Sequence, residues 1–387
     1  MVKISQFLIR RFRAMVIGVL GLLAASGWVT PALAGYVVTN LVSDIPGLAA
    51  FTDPNLMNPW GMSSSPTSPI WVSDNKTGVA TLYNTAGAPQ ALVVTIPPPS
   101  GGTPPSAPTG QVFNGGTGFL LAGTGTAARF IFATEDGTIS GWNPTASPTN
   151  AVLKVDNSAL GAVYKGLAIG NNGAGDFLYA ANFNSGKIDV FNSSFAPTTL
   201  AGNFVDPSLP AGFAPFNVQN LGGQLYVTYA LQDGSKHDDV AGPGNGFVDV
   251  FDLNGNLVKR AISNGPLNSP WGLAFAPANF GTFSNDLLVG NFGDGRIDAF
   301  DPTTDAFLGA LTDTTGTPIF IEGLWGLRDG NGGNGGALNK VYFTAGISGG
   351  DAIEDHGLFG SLSVPEPATL ALLSLGLAGL GFSRRRQ

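Results

Sequence analysis

Short apolar segments alternate with turn residues through residues 35–363. In the most regular copy, residues 269–275 open a unit, residues 286–291 form a second apolar segment, and residues 293–301 close it after a tight glycine turn. Alternation over four to eight residues, bounded by glycine and Asp or Asn, is typical of short antiparallel strands. Each unit predicts a first strand that opens on a bulky residue followed by glycine. A second strand ends on a polar residue, and a third ends on an aromatic residue followed by Asp or Asn.

The same plan recurs, giving six units in 329 residues. At roughly 55 residues each, the units have the spacing of a four-stranded propeller blade with its loops. The pattern therefore predicts an all-β, six-bladed β-propeller, whereas an open β-sandwich would not explain six copies of one strand order. The other five units are residues 58–84, 128–143, 165–192, 216–252 and 322–360.

Residues 36–42 form an apolar segment that belongs to no unit. We expect this segment to be the outer strand of blade six, which would close the ring as an N-terminal velcro strand. The proline-rich stretch 97–105 is predicted to be an inserted surface loop between blades one and two.

The composition supports an aromatic-rich β fold. The chain has 56 Gly, 27 Pro and no Cys, and only 11% of its residues are charged. Glycine and proline at this density interrupt helices. The absence of cysteine excludes disulfides and cysteine-ligated metal sites. The 26 Phe, 6 Trp and 7 Tyr are too many for a disordered chain.

The N-terminal residues 1–34 have the three parts of a secretory signal peptide. Four basic residues precede an apolar run over residues 14–25, and Ala32 and Ala34 form a small-residue cleavage site before Gly35. The alternative is an uncleaved membrane anchor, but the run is shorter than the roughly 20 residues of an ordinary span. We expect cleavage and export.

Residues 364–387 form a second targeting segment. A Pro-Glu-Pro triplet precedes the short apolar stretch 370–382, which three arginines follow. This order resembles the PEP-CTERM sorting signal of Gram-negative bacteria, which implies processing by an exosortase, an integral-membrane cysteine protease. A short transmembrane helix in this tail would associate with the membrane transiently, and the alternative is a plain C-terminal anchor. The signal residues are Pro365, Glu366, Pro367, Arg384, Arg385 and Arg386.

Removal of both ends makes the protein more acidic. The whole chain has a formal net charge of −8, but residues 35–363 contain 11 basic and 25 acidic residues, a net charge of −14. No basic stripe remains to neutralise phosphates, so nucleic acid is excluded as a partner. The expected location is the periplasm, outer surface or extracellular matrix of a Gram-negative bacterium, reached through the secretion machinery and the exosortase.

Two family resemblances concern the propeller itself. The fifth unit resembles an NHL-type repeat, because it combines Pro-Trp-Gly-Leu-Ala with Asp-Gly-Arg-Ile and a closing Phe-Asp. The phrases at residues 132–142 and 268–274 resemble an uncharacterised family of bacterial secreted propellers that often carry the PEP-CTERM tail. This resemblance implies a fold and an exported location, but it implies no activity.

Candidate chemistry concentrates on the face where the first strand of each blade starts. Most polar residues there are also explained as turn or cap residues. Both histidines of the chain fall in the acidic loops 232–239 and 351–356, where carboxylates and imidazole would suit a divalent cation such as calcium. A solvated acidic loop is the alternative, and the EF-hand spacing is absent. The candidate metal ligands are His237, Asp238, Asp239, Glu354, Asp355 and His356, and the candidate channel-mouth residues are Asn58, Lys165, Asn217 and Glu322.

The sequence favours a binding or scaffold module of the cell surface or exopolysaccharide matrix, with extracellular polysaccharide or protein as partner. Trp60, Trp271 and Trp325 near the channel mouth would suit such binding, or would pack between blades. The alternative is a metal-dependent hydrolase of the gluconolactonase-like type, because those propellers hold a metal with Glu, Asn and Asp. Their signature strings are absent here, and so are the Gly-x-Ser-x-Gly and His-Glu-x-x-His motifs.

Overall fold

Glycine and Asx turns join 26 short strands. The computed structural model describes residues 35–365 except residues 122 and 124. In this part of the chain there is no α-helix, and the only helical segments are two 3₁₀ turns, Ser158–Leu160 and Gly281–Phe283. None of the described residues belongs to a helix long and apolar enough to span a membrane, and the apolar stretch 370–382 lies outside them.

Six of the sheets follow one another along the chain as blades, which confirms the six-bladed β-propeller, and a seventh is a separate two-stranded hairpin. The chain first supplies β1 (Val37–Ser43) and β2 (Phe51–Thr52), which belong to the last blade. Blade one contains β3 (Pro59–Ser63), β4 (Ile70–Asp74), β5 (Val79–Tyr83) and β6 (Val94–Thr95). Blade two contains β7 (Pro108–Phe113), a hairpin of β8 (Leu120–Leu121) and β9 (Thr126–Ala127), and then β10 (Phe130–Thr134), β11 (Thr138–Trp142) and β12 (Val152–Asp156).

Blades three to six repeat the antiparallel order. Blade three contains β13 (Tyr164–Asn171), β14 (Asp176–Asn182) and β15 (Lys187–Asn192), and blade four contains β16 (Phe213–Leu221), β17 (Gln224–Leu231), β18 (Phe247–Phe251) and β19 (Leu257–Ser263). Blade five contains β20 (Pro270–Phe275), β21 (Leu287–Asn291), β22 (Ile297–Phe300) and β23 (Phe307–Ala310). Blade six contains β24 (Leu324–Asp329), β25 (Lys340–Ala345) and β26 (Leu358–Ser363).

The N-terminal strand closes the ring, as the sequence predicts. Strand β1 pairs antiparallel with β26, from Val37 opposite Ser363 to Ser43 opposite Leu358. The inner strands β3, β7, β13, β16, β20 and β24 each contact the next, and β24 contacts β3. The ring is therefore held shut by backbone pairing between the two ends of the described chain, without a disulfide.

Two blades differ from the predicted strand pattern. The inner strand of blade two, β7, was not recognised, because its Thr-Gly-Gln centre lacks an apolar run and a hairpin separates it from β10. Blade three has three strands instead of four. The residues after β15 make a single bridge, Phe191 to Pro197, where a fourth strand would start.

Apolar side chains fill the spaces between adjacent blades. Between blades one and two, the Trp71 ring stacks on Phe130 with centroids 4.1 Å apart, and Trp142 packs against both rings. Six such clusters separate the six blades, and a seventh lies on the axis. The high aromatic content is therefore explained by packing between blades and along the axis.

Candidate functional site

Every blade has a register irregularity near the start of its inner strand. In blade five the pairing passes from Pro270–Asn291 to Gly272–Gly290, so Trp271 is the extra residue of a β-bulge. Bulges bend a strand and re-aim a side chain. In this propeller the bulged residues surround the axis at the end of the ring where the inner strands begin. We call this end the strand-start face. The residues at this position are Trp60, Thr109, Lys165, Phe216, Trp271 and Trp325.

Aromatic rings close the channel at this face. Trp60 stacks on Trp325 with centroids 3.5 Å apart, and Phe292 stacks on Trp325 at 4.0 Å. Trp271 meets both tryptophans edge-on, at 5.9 and 6.0 Å. We call Trp60, Phe183, Phe216, Trp271, Phe292 and Trp325 the aromatic plug. The three tryptophans are at most 4% exposed, so they pack along the axis and offer no stacking surface to solvent.

The glycine that follows each of the three tryptophans lets neighbouring inner strands approach. A Cβ built on Gly61 would lie 2.5 Å from the Thr109 carbonyl oxygen, and one on Gly272 would lie 2.7 Å from the Trp325 carbonyl oxygen. No real Cβ contact is this short. The bulky-residue-glycine pair of the sequence repeat is therefore a requirement of ring packing.

Hydrogen bonds fix two of the plug's indoles. Trp325 Nε1 donates to Asn58 Oδ1 at 3.0 Å, and Trp271 Nε1 donates to the Lys165 carbonyl oxygen at 3.1 Å. Asn58 stands just before blade one with a positive φ of 48°, a conformation that Asn tolerates better than most residues. The predicted channel-mouth residue Asn58 therefore positions the plug.

Lys165 covers the plug from the strand-start face. Its Nζ lies 5.2 Å from the Trp60 ring centroid, forms an ion pair with Glu135, and lies 3.3 Å from Asp238 Oδ1. Burial opposes the charged form, but Glu135, Asp238 and Glu354 outweigh it and raise the pKa of Lys165. The ammonium group is thus held in a cation–π and ion-pair setting.

Acidic groups surround this lysine. Burial, reinforced by Glu135, raises the pKa of Glu354 to about 7, and burial also raises the pKa of Asp239. Glu135 Oε2 also accepts a hydrogen bond from Asn75 Nδ2 at 2.7 Å. The loops of blades two, four and six therefore contribute carboxylates to one cluster centred on Lys165.

The structure brings together some of the predicted metal ligands and separates others. Glu135, His237 and Asp238 offer ligand atoms that all lie within 4.8 Å of one another. Asp355 instead forms an ion pair with Lys76. His356 lies 2.6 Å from Asp44 through Nδ1.

Glu135 is the cluster member that the metal prediction did not include. Its sequence signal is weak, because it reads as the turn residue between the second and third strands of blade two. The interaction with Lys165 spans 30 positions, a separation that the strand pattern does not reveal.

The remaining channel-mouth candidates are engaged within the protein. Asn217 Nδ2 donates to the Trp271 carbonyl oxygen at 2.8 Å, which ties blade four to blade five. Glu322 accepts hydrogen bonds from the backbone N–H and hydroxyl of Ser348. Asn58 is bonded to Trp325, so the channel-mouth candidates Asn58, Asn217 and Glu322 each make a separate structural contact. These are the residue types that a gluconolactonase-like metal site would need.

A cavity of about 420 Å³ occupies the channel on the side away from Lys165. We call its opening the strand-end face, because the later residues of the inner strands line it. Trp271 of the plug lines it together with Asn217, and Gln111, Gln219 and Arg328 are among the other lining groups. Arg328 is the only charged residue among the described lining residues. Sequence reasoning did not single it out, because nothing in the repeat marks an arginine near the end of one inner strand.

The signal residues lie at the limits of the described chain. Gly35 is buried against Asp313, and the Tyr36 N–H donates to the Thr312 carbonyl oxygen at 2.8 Å. Pro365 is exposed. The other predicted signal residues lie outside the described residues; they are Ala32, Ala34, Glu366, Pro367 and Arg384 to Arg386.

The comparisons with known proteins agree with this architecture. Residues 363–386 match the PEP-CTERM protein-sorting motif. A solved structure described as glucose dehydrogenase has a TM-score of 0.53 and 13% identity, covering 86% of this chain and all of that one. A likeness at this identity shows the fold alone. The protein is thus a β-propeller with a C-terminal exosortase sorting motif, which implies export to the bacterial cell surface or envelope.

Sequence relatives place the chain in a family. Uncharacterized protein L690 of Acanthamoeba polyphaga mimivirus is 36% identical over 342 residues, 86% of each chain. Uncharacterized protein R648 of the same virus is 34% identical over 324 residues, covering 81% of this chain and 78% of that protein. The chain belongs to the family of these uncharacterised proteins.

Proposed function

We propose that this exosortase-sorted protein is a binding module of the cell surface or exopolysaccharide matrix, which holds a small polar ligand, free or at a chain end, in its channel. One observation carries the proposal. The aromatic plug closes the channel at the strand-start face, and the rest of the channel is a cavity of about 420 Å³ with a polar lining. A volume of this size is in the range of small-molecule sites.

The lining groups suit binding better than catalysis. Gln219 and Arg328 supply an amide and a guanidinium, whereas the Gln111 amide is already hydrogen-bonded to Gly61 and Ser63. No Asp, Glu, His or Lys is among the described lining residues. Amide and guanidinium groups hydrogen-bond hydroxyls and anions, but neither is a general base at neutral pH. The chemistry of the cavity therefore favours recognition of a hydroxyl-rich molecule such as a sugar.

Blocking the cavity tests this proposal. Gln219 lines the cavity, and its side-chain amide has no hydrogen-bonded partner within the described part of the chain, so Gln219→Trp fills space at little structural cost. We expect the exported protein to bind members of a glycan array and Gln219→Trp to lose at least tenfold in affinity. Gln224→Trp, on β17 outside the cavity, is the matched control. Equal binding by the wild type and Gln219→Trp would contradict the proposal.

A metal-dependent hydrolase is the second candidate, because Glu135, His237 and Asp238 gather possible ligand atoms. The Lys165 ammonium group already neutralises Glu135 and Asp238, so a divalent cation would have to displace it. If this candidate is correct, calcium or zinc raises the Tm of the wild type but not of Asp238→Asn, and lactones are hydrolysed. Absence of both effects removes it.

We also propose the boundaries of the mature protein. Cleavage before Gly35 and removal of the tail from residue 364 would leave residues 35–363 as the propeller. The pairing of β1 with β26 up to Ser363 and the docking of Tyr36 support these limits, because the described ends are part of the fold. Intact-mass measurement of the protein exported by an exosortase-containing host should give residues 35–363. A mass retaining either end would contradict that boundary.

A further inference from the structure

We infer that the channel cavity recognises a carboxylate-bearing sugar of one-ring size, a hexuronate, through the guanidinium group of Arg328. The inference rests on the proposed binding function and names its ligand class. Arg328 lies near the end of the inner strand β24, where blade six adjoins blade one at the cavity wall.

The hydrogen-bonding capacity of Arg328 is not used up by the protein. Its Nη2 donates to the Ser64 hydroxyl at 2.7 Å, which holds the side chain against the neighbouring blade. Its Nε is buried and has no hydrogen-bond partner among the described residues. No carboxylate of the described chain lies within ion-pair distance of it.

Three other enclosed or partly enclosed cations of the propeller have carboxylate partners. Lys165 is paired with Glu135, Arg260 is paired with Asp206, and Lys259 lies 2.6 Å from Asp305. Acidic residues exceed basic ones by eight in the chain, so carboxylates are plentiful. Arg328 thus differs from Lys165 and Arg260, which are enclosed beside carboxylates.

The electrostatics of the cavity favour an anion. Burial lowers the pKa of Arg328, which Asp329 opposes, but an arginine guanidinium stays charged in proteins. Because Arg328 is the only charged residue among the described lining residues, the cavity presents one positive charge and no negative one. A guanidinium group binds a carboxylate through two parallel N–H donors, and the terminal nitrogens Nη1 and Nη2 form one such fork, whereas Nε is enclosed by protein atoms.

The remaining lining groups fit the polyol part of a uronate. The Gln219 amide can both donate and accept, whereas the side chains of Asn220 and Ser63 are already hydrogen-bonded within the protein. Trp271 of the plug forms the floor. A cavity of about 420 Å³ accommodates one sugar ring, either free or at the end of a polysaccharide chain.

Calorimetric titration of the exported protein with glucuronate, glucuronamide and glucose tests the inference. The three sugars share one ring size, but only glucuronate carries the charge. We expect the wild type to bind glucuronate at least tenfold more tightly than glucuronamide or glucose. We expect Arg328→Gln to abolish this difference, with Arg296→Gln, an arginine of blade five outside the cavity, as control. An oligosaccharide with a terminal glucuronate distinguishes a chain end from the free sugar.

The outcomes separate the two proposals. Equal affinity for all three sugars, with binding still blocked by Gln219→Trp, would overturn the carboxylate inference and leave the binding function intact. No binding of any sugar would overturn both. The comparison of the three ligands on the wild type needs no variant, so the inference can fail even if Arg328→Gln does not fold.

Discussion

At the residue scale, the bulged position of each inner strand contributes most to the architecture. The bulged residue of each inner strand is Trp in three blades and Phe in a fourth, and these rings form most of the aromatic plug. The other two positions are Thr109 and Lys165. Thr109 Oγ1 donates to the Tyr164 carbonyl oxygen at 2.6 Å, and Lys165 covers the plug. Replacing any one of the buried tryptophans by Ala would cost about 3–5 kcal/mol by the usual cost of emptying such a site.

The close approach at Gly272 is directly testable. In Gly272→Ala the new Cβ meets the Trp325 carbonyl oxygen at 2.7 Å, so the strands must separate. We expect a loss of about 1–3 kcal/mol in the free energy of unfolding, as for overpacking elsewhere. Gly234→Ala is the control, because nothing lies within 4 Å of its Cβ. Denaturant unfolding measures both, and equal stability of the two variants would refute the packing role of Gly272.

Glu354 gives a pH-dependent prediction. Burial raises its pKa to about 7, above its ordinary value of 4.5, so the folded state binds a proton that the unfolded state releases between these values. Stability from this group therefore falls as pH rises from about 4.5 to 7. Glu354→Gln removes the cost of burying an ionised carboxylate. Its Tm should therefore exceed that of the wild type at pH 8 and match it near pH 4.5.

The neighbouring Asp355 is the opposite control for this measurement. Its ion pair with Lys76 lowers the pKa of Asp355, so its contribution is lost as pH falls. Asp355→Asn should therefore lower the Tm at neutral pH and lose this effect under acid conditions. If the difference in Tm between Glu354→Gln and the wild type is the same at every pH, the buried-carboxylate account is ruled out.

At the element scale, β1 is the strand on which closure depends. It pairs with β26 although more than 300 positions separate them, and Val42 is fully buried between blades six and one while Val38 is exposed. The short strands of each blade bury little apolar surface alone, because their faces are covered only by the neighbouring blades. Closure therefore joins six marginal sheets into one core.

Two substitutions on β1 test closure. Val42→Ser should destabilise the fold by about 2–4 kcal/mol, because it removes buried apolar surface and places a hydroxyl in the core. Val38→Ser should have little effect, because 37% of that side chain is already exposed. Thermal unfolding of the two variants is the measurement. Equal Tm values would show that β1 contributes pairing alone.

At the scale of the whole molecule, the fold was predictable from sequence and the cavity was not. The repeated bulky-residue-glycine pair and the closing aromatic-Asx pair identify blades because the ring imposes similar packing from one blade to another, as at Trp60-Gly61 and Trp271-Gly272. Strand β7 escaped detection because its Thr-Gly-Gln centre is polar, as its channel-lining residues permit.

The site could be predicted only in part. His237, Asp238 and Glu354 were predicted because charged loops stand out in a weakly charged chain, and Lys165 because it stands at the start of a first strand. The pairing of Glu135 with Lys165 and the role of the unpaired Arg328 were not predicted, since they depend on which blades meet around the axis. Such contacts arise from ring closure, which strand periodicity does not encode.

The most direct test of the account is a crystal structure of the exported protein soaked with glucuronate. The account predicts ligand density in the channel cavity, with the sugar carboxylate on Arg328 and the hydroxyls toward Gln219, while the aromatic plug stays closed above it. Density over the Glu135, His237 and Asp238 cluster instead, or an opened plug with the ligand passing through it, would contradict the assignment of the cavity as the binding site.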